Sequence, residues 1–198
     1  MVAVISNSTQ GAAVKKIDEF NAIDRIGVKL LENSIHFLTG EITEETVEKC
    51  IQWIVFENLD PKEKILTLYV NSSGGDLYQA FALIDVMHSS KHTVRTIAIG
   101  NIMSAAFLIF TAGTSGERYL AVNTGIMCHQ FSGGTDAKFH DLKAEMKENE
   151  LLNKKMIDIL KDATGLPPSK IKSKLLPASD VYLTAQEALD YGIADHLL

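Results

Sequence analysis

The residues able to do chemistry in this chain are one serine, one histidine and two glycine-bearing turns. Ser104 follows Gly100-Asn101-Ile102-Met103 and precedes Ala105-Ala106, so a strand ends, the chain turns and an apolar helix begins at a hydroxyl. Such a serine has a helix dipole and free N–H groups beside it, the arrangement of a nucleophile elbow without the Gly-x-Ser-x-Gly sequence. The plainer reading makes Ser104 the N-cap of that helix. His129 closes the run Ile126-Met127-Cys128-His129-Gln130, just before Ser132-Gly133-Gly134. A histidine at a strand end in the next βα unit is placed to act as a general base. In Asn71-Ser72-Ser73-Gly74-Gly75 the glycines leave backbone N–H groups facing outward at a helix start, which suits an oxyanion or an extended peptide, or else forms an ordinary turn.

Two other constellations are weaker. Cys128 is a second possible nucleophile, but side chains alternate along a strand, so the neighbour of His129 points to the core. His88 and His92 are four apart, yet no Glu completes a His-Glu-x-x-His pattern and no third ligand is suggested, so they read as a solvated helix end. No Gly-x-x-x-x-Gly-Lys or Gly-x-Gly-x-x-Gly exists, so neither glycine turn is a nucleotide loop.

The elements that must position these groups alternate. Residues 1–25 mix Ser, Gly, Lys and Asp and read as a mobile arm, with the compact part starting near Ile26. A strand over 35–38 leads to a helix opened by Thr43, Glu44 and Glu45, whose Val47, Ile51, Ile54 and Val55 share a face. A strand over 65–70 turns at Gly74-Gly75 into a helix over 76–87. A strand over 94–99 turns at Gly100-Asn101 into a helix over 104–111. Short strands at 118–122 and 126–129 precede a long polar helix over 136–162. Its narrow apolar stripe, Leu142, Met146, Leu151, Leu152, Met156, Ile159 and Leu160, suggests a projecting helix that packs on another copy of itself. Gly165, Pro167 and Pro168 punctuate its end, and Thr184-Ala185-Gln186-Glu187 is a capping box for a last short helix.

Composition removes several classes of function. A chain of 198 residues is one domain by the usual prior. With 46% hydrophobic and 22% charged residues it is neither disordered nor fibrous. A net charge of −6 spread along the chain leaves no basic footprint for nucleic acid or an anionic membrane. Two distant cysteines, Cys50 and Cys128, fit a reducing compartment, and the N-terminus lacks a basic signal-peptide region, so a cytoplasmic location is expected.

Four motifs in order then resemble the ClpP family, the proteolytic subunit of the ATP-dependent Clp protease. They are Asn71-Ser72-Ser73-Gly74-Gly75, Gly100-x-x-Met103-Ser104-Ala105, Met127-Cys128-His129-Gln130 with Gly133-Gly134, and Asp180-x-Tyr182-Leu183-Thr184-Ala185-x-Glu187-Ala188-x-x-Tyr191-Gly192-Ile193-x-Asp195. The resemblance covers about 32–198. It implies an α/β, ClpP/crotonase-type fold of stacked ββα units with a handle helix at 136–162, and a single serine-peptidase domain. It further implies Ser104 as nucleophile, His129 as base and acid, Asp180 as the group orienting His129, backbone N–H groups of Gly75 and Ala105 as oxyanion hole, and Gly75, Leu77, Ser132 and Gly134 as the substrate-pairing segments.

The expected function is hydrolysis of unfolded polypeptide inside an oligomeric chamber, a heptameric ring able to stack in pairs, fed by a separate AAA+ ATPase. No cofactor or metal is implied. The alternatives are a non-catalytic or regulatory ring subunit that co-assembles with another ClpP, and a crotonase-type acyl-CoA enzyme, which would not need Ser104, His129 and Asp180 together. Ser73, Met103 and Phe131 stand where the family has proline, alanine and proline. Thr67 replaces a tyrosine of the unfoldase-docking surface, to which Tyr69 and Tyr119 correspond, and Ser179 replaces a ring-linking arginine. Two extra residues between Thr164 and Asp180 should bulge out around 176–178.

Overall fold

The computed structural model describes residues 21–131 and 138–198. Among them are seven helices and a seven-stranded sheet, the α/β class expected. The strands are β1 (Ile35–Thr39), β2 (Ile65–Ser72), β3 (Thr93–Met103), β4 (Arg118–Leu120), β5 (Gly125–Cys128), β6 (Val181–Leu183) and β7 (His196–Leu197). The helices are α1 (Ala22–Glu32), α2 (Glu44–Glu57), α3 (Leu77–Ser89), α4 (Ala105–Thr111), α5 (Phe139–Thr164), α6 (Pro168–Lys174) and α7 (Ala185–Asp190).

The main path runs β1-β2-β3-β4-β7, all parallel. β3 is the pivot. Its first half pairs with β4 through Thr96–Ala98, and its second half pairs with β5 through Asn101–Met103. Between them the register to β2 shifts, and the Asn71 side chain accepts the N–H of Asn101 at 3.1 Å. The expected turn at Gly100-Asn101 is therefore an irregularity within a continuing strand. Its effect is to carry Met103 off the main sheet toward β5, which in turn pairs antiparallel with β6.

The core lies on one face of the sheet. β2 alternates strictly, with Leu66, Leu68, Val70 and Ser72 buried and Thr67, Tyr69 and Asn71 half-buried on the other side. All seven residues of α4 are buried, which explains its uninterrupted apolar run. On the opposite face Tyr69 stacks on Phe37 with ring centroids 4.9 Å apart, and Tyr119 lies 4.7 Å from His196. α2 opens at Thr43 as expected, closed reciprocally by Thr46, and buries Val47, Cys50, Trp53, Ile54 and Glu57. Val55, however, is exposed: the apolar face turns through Cys50 and Trp53 instead.

Further corrections concern the N-terminal segment, the long helix and His92. The arm expected over 1–25 gives way at its last residues to α1, whose Asn21 accepts the N–H of Asp24 as an N-cap; residues 1–20 lie outside the described residues. The helix expected over 136–162 is described from Phe139 to Thr164. Its C-terminal half packs on this chain's own core through Leu152, Met156, Ile157 and Leu160, whereas Leu142, Met146 and Leu151 stay exposed. His92 is buried rather than solvated, with Nε2 2.8 Å from the Glu57 carbonyl.

A largely buried ion pair, Arg118 buried and Asp195 half-buried, fastens the C-terminal segment. Arg118 sends Nε and Nη2 to the two oxygens of Asp195 at 2.8 and 2.6 Å, and Nη1 to the Ala163 carbonyl at 3.0 Å. The Gly116 and Arg118 N–H groups complete the carboxylate's shell. Burial works against ionisation of Asp195, but the hydrogen bonds from Arg118 outweigh it and hold the carboxyl below its ordinary range. Because the folded-state pKa is depressed, the pair's contribution is complete above the unfolded value of about 3.9 and is lost as pH falls through the folded value. Arg118→Ala strands the carboxylate and should lower unfolding free energy by about 3–5 kcal/mol, read by urea denaturation at neutral pH. A loss below about 1 kcal/mol would place the pair among weak surface contacts.

Candidate active site

Ser104 is held in an unusual backbone conformation, φ 53° and ψ −123°, between β3 and α4. A non-glycine residue at positive φ costs about 1–3 kcal/mol and persists only where its surroundings impose it. Here its N–H donates to the Met127 carbonyl at 3.0 Å and its own carbonyl accepts from Phe107 at 3.1 Å. The hydroxyl makes no capping bond to α4, which removes the plain N-cap reading. Instead Ser104 Oγ is 2.7 Å from His129 Nε2.

His129 is the first residue past β5, and the strand registers explain its place. Met103 pairs with Met127 in parallel, so Ser104 and the end of β5 leave the sheet side by side. Cys128 faces Val181 across the antiparallel β5–β6 pair. Extending that register by one step puts Asp180 opposite His129, and Asp180 Oδ1 is 3.3 Å from His129 Nδ1. β6 is anchored by the reciprocal Thr184–Glu187 cap of α7. His129 is largely enclosed, with 21% of its side chain accessible, whereas Asp180 keeps 53%. Upstream, Leu176 is buried and its carbonyl accepts from Gln130 Nε2 at 3.0 Å, whereas Ala178 and Ser179 are exposed.

The Gly74-Gly75 turn runs beside Ser104. Ile42 donates to the Gly74 carbonyl and accepts from Asp76, both at 2.8 Å, which makes 74–76 a strand-like edge bonded on one side. A parallel bridge of this kind leaves the N–H and C=O of Gly75 facing away from Ile42. Glycine is required at both positions: a Cβ on Gly74 would lie 2.7 Å from Ser104 Cβ, and one on Gly75 2.4 Å from the Ile42 carbonyl oxygen. Gly75, Leu77, Ser104 and Ala105 all line one cavity of about 250 Å³. Among the described residues, neither Gly75 nor Ala105 N–H has a hydrogen-bond acceptor. Ser132 and Gly134, the other expected substrate-pairing positions, lie outside the described residues.

Cys128 faces the core, as alternation suggested, and burial pushes its thiol up to about 12, so it stays protonated at neutral pH. Sequence reasoning missed the remaining lining of the cavity: Asp76, Tyr78, Leu152 and Met156, together with Phe131, which it had noted only as a departure. The helical spacing of Leu152 and Met156 was the available signal, read there as a contact with another copy. Among the described residues no group of three or more His, Cys, Asp or Glu could hold a metal ion, and no helix is long and apolar enough to cross a membrane.

A serine hydroxyl against an imidazole, a carboxylate at the other ring nitrogen, and two unpaired N–H groups beside the serine form a set of parts suited to acyl transfer. Independently, the family model for Clp protease matches residues 18–198, beginning upstream of the region where the motifs were recognised. That match spans the four motifs, the α/β architecture and the long helix α5 alike, and the chain belongs to the Clp protease family, with the ClpP fold.

Proposed function

We propose that this protein is a Clp-type serine endopeptidase with Ser104 as nucleophile, His129 as general base and acid, and Asp180 as the orienting carboxylate. The observation that carries the reading is the 2.7 Å contact between Ser104 Oγ and His129 Nε2, in place of a helix cap. His129 Nε2 takes the hydroxyl proton as Ser104 Oγ attacks the peptide carbonyl carbon. Negative charge then forms on the carbonyl oxygen, where the N–H groups of Gly75 and Ala105 receive it. His129 passes the proton to the leaving amine, and a water activated by the same imidazole hydrolyses the acyl-enzyme. Asp180, with Oδ1 3.3 Å from Nδ1, is the carboxylate placed to favour the tautomer that presents Nε2 to the serine.

Extended substrate pairs with the free edge at Gly75 and with the segment containing Ser132 and Gly134, so recognition is mainly through the main chain and broad in sequence. The family membership supports assembly into rings working with Clp ATPases. The exposed Leu142, Met146 and Leu151 of α5 offer an apolar stripe for a second copy, and Phe37, Tyr69 and Tyr119 an aromatic surface for the unfoldase. Treating the pure protein with a fluorophosphonate and locating the adduct by mass spectrometry tests the reading. Modification is expected at Ser104 alone; a folded protein that takes no label at Ser104 would instead be the non-catalytic ring subunit.

A further inference from the structure

The cavity beside Ser104, at about 250 Å³, is smaller than the roughly 300–1,000 Å³ of a small-molecule site. It has room for one side chain. Leu152 and Met156 form part of its lining and are 8% and 4% exposed, so packing fixes them. Asp76 is the one charged residue among the described residues of the lining, and its Oδ1 accepts from the N–H groups of Tyr78 and Gln79 at 2.8 and 3.0 Å. An anionic guest would meet a like charge there, whereas an apolar one would leave water at no such cost. Tyr78 differs from the other walls. It is 49% exposed, so packing does not set its position. Its phenol instead donates a hydrogen bond to Glu148 Oε1, which ties the first turn of α3 to α5, the helix that carries Leu152 and Met156.

We propose that Tyr78, held by Glu148, is the specificity-determining wall of a subsite for one apolar side chain, that of the peptide residue whose carbonyl Ser104 attacks. Glu148 is a positioning residue that acts through Tyr78. The inference rests on the serine-peptidase reading and deepens it. A fixed wall separates guests by size because an ill-fitting side chain must either leave a void or displace the ring, whereas an untethered ring yields to any guest.

The test uses the full chain and N-acylated peptide aminomethylcoumarins that differ only in the residue before the cleaved bond: Ala, Leu, Met, Phe or Glu. Unmodified protein should favour Leu or Met over Ala by about tenfold or more in kcat/KM, with Glu the poorest. Tyr78→Phe keeps the ring and loses the tether, and Glu148→Ala loses the tether from the other side. Each should lower the Met-to-Ala preference by about threefold or more, the worth of one hydrogen bond. The double variant should lose no more than either alone, because both remove the same contact. Glu148→Gln still presents a carbonyl oxygen to the phenol and should retain the preference. A loss spread uniformly over all five substrates, or an unchanged preference in Tyr78→Phe and Glu148→Ala while cleavage still depends on Ser104, overturns the subsite alone. Cleavage that survives Ser104→Ala overturns the peptidase reading and the subsite with it.

Discussion

Ser104→Ala should abolish peptide cleavage, with kcat falling by about 10⁶-fold, as expected when the nucleophile of a three-residue relay is removed. The substitution is small and its structural effect is limited. The serine's N–H bond to Met127 and its carbonyl bond to Phe107 are main-chain contacts that alanine keeps. Alanine also tolerates positive φ poorly, but serine already bears that cost at φ 53°. Far-ultraviolet dichroism and the urea midpoint should therefore match the unmodified protein while activity disappears. His129→Ala should cost a comparable factor, and the double variant little more, because the two groups act as a unit. Retention of even a hundredth of the activity in Ser104→Ala would mean that another nucleophile does the chemistry. Cys128 is a poor substitute, since its thiol is buried and protonated.

The parts of the fold legible in sequence were those determined locally. Thr43, Thr184 with Glu187, and Gly165 mark helix ends by chemistry that acts within one turn, and the ends fall there. β2 was legible because one buried face imposes strict alternation. What escaped was fixed over long distances. β7 is two exposed residues, held by pairing to β4 and by the Arg118–Asp195 pair. Pro167-Pro168 was read as a stop, although Pro168 is equally suited to the first turn of a new helix and opens α6. α1 had a readable N-cap at Asn21 with Asp24 in the first turn, but Gly27 and a polar flank masked it, and the helix buries no residue. His92 looked solvated because nothing in its neighbourhood in sequence reveals a bond to Glu57.

The same division runs through the site. Ser104 and His129 could be singled out from the residues alone, each at the end of an apolar run near glycines, but Ser104 read equally well as a plain N-cap until its contact with His129 was seen. Asp180 could not be: it reaches His129 only through the pairing of β5 with β6, strands more than fifty residues apart, and was found through the family resemblance. Tyr78, Leu152 and Met156 face the cavity because α3 and α5 converge on it, a juxtaposition that no local pattern encodes.

Asp180→Asn is consequently the sharpest trial of the site. Asparagine keeps the shape and the strand register but replaces an ionised acceptor with a neutral amide, so the histidine loses both its preferred tautomer and its counter-charge. Removing such a carboxylate costs about 10⁴-fold in enclosed sites. Here 53% of the Asp180 side chain meets solvent and the contact is 3.3 Å, so water already screens part of the charge, and a fall in kcat of about 10³-fold is expected. Asp195 and Asp162 do not compete for the role. Asp195 is spent on Arg118, and its loss should register in stability rather than in turnover. Asp162 is 75% exposed at the end of α5 and contacts Lys161, so Asp162→Asn should leave kcat unchanged. If Asp180→Asn keeps activity within about threefold, an effect of only ~0.6 kcal/mol on the barrier, the carboxylate is a bystander. His129 would then be oriented by its hydrogen bond to Ser104 and by the end of β5 alone.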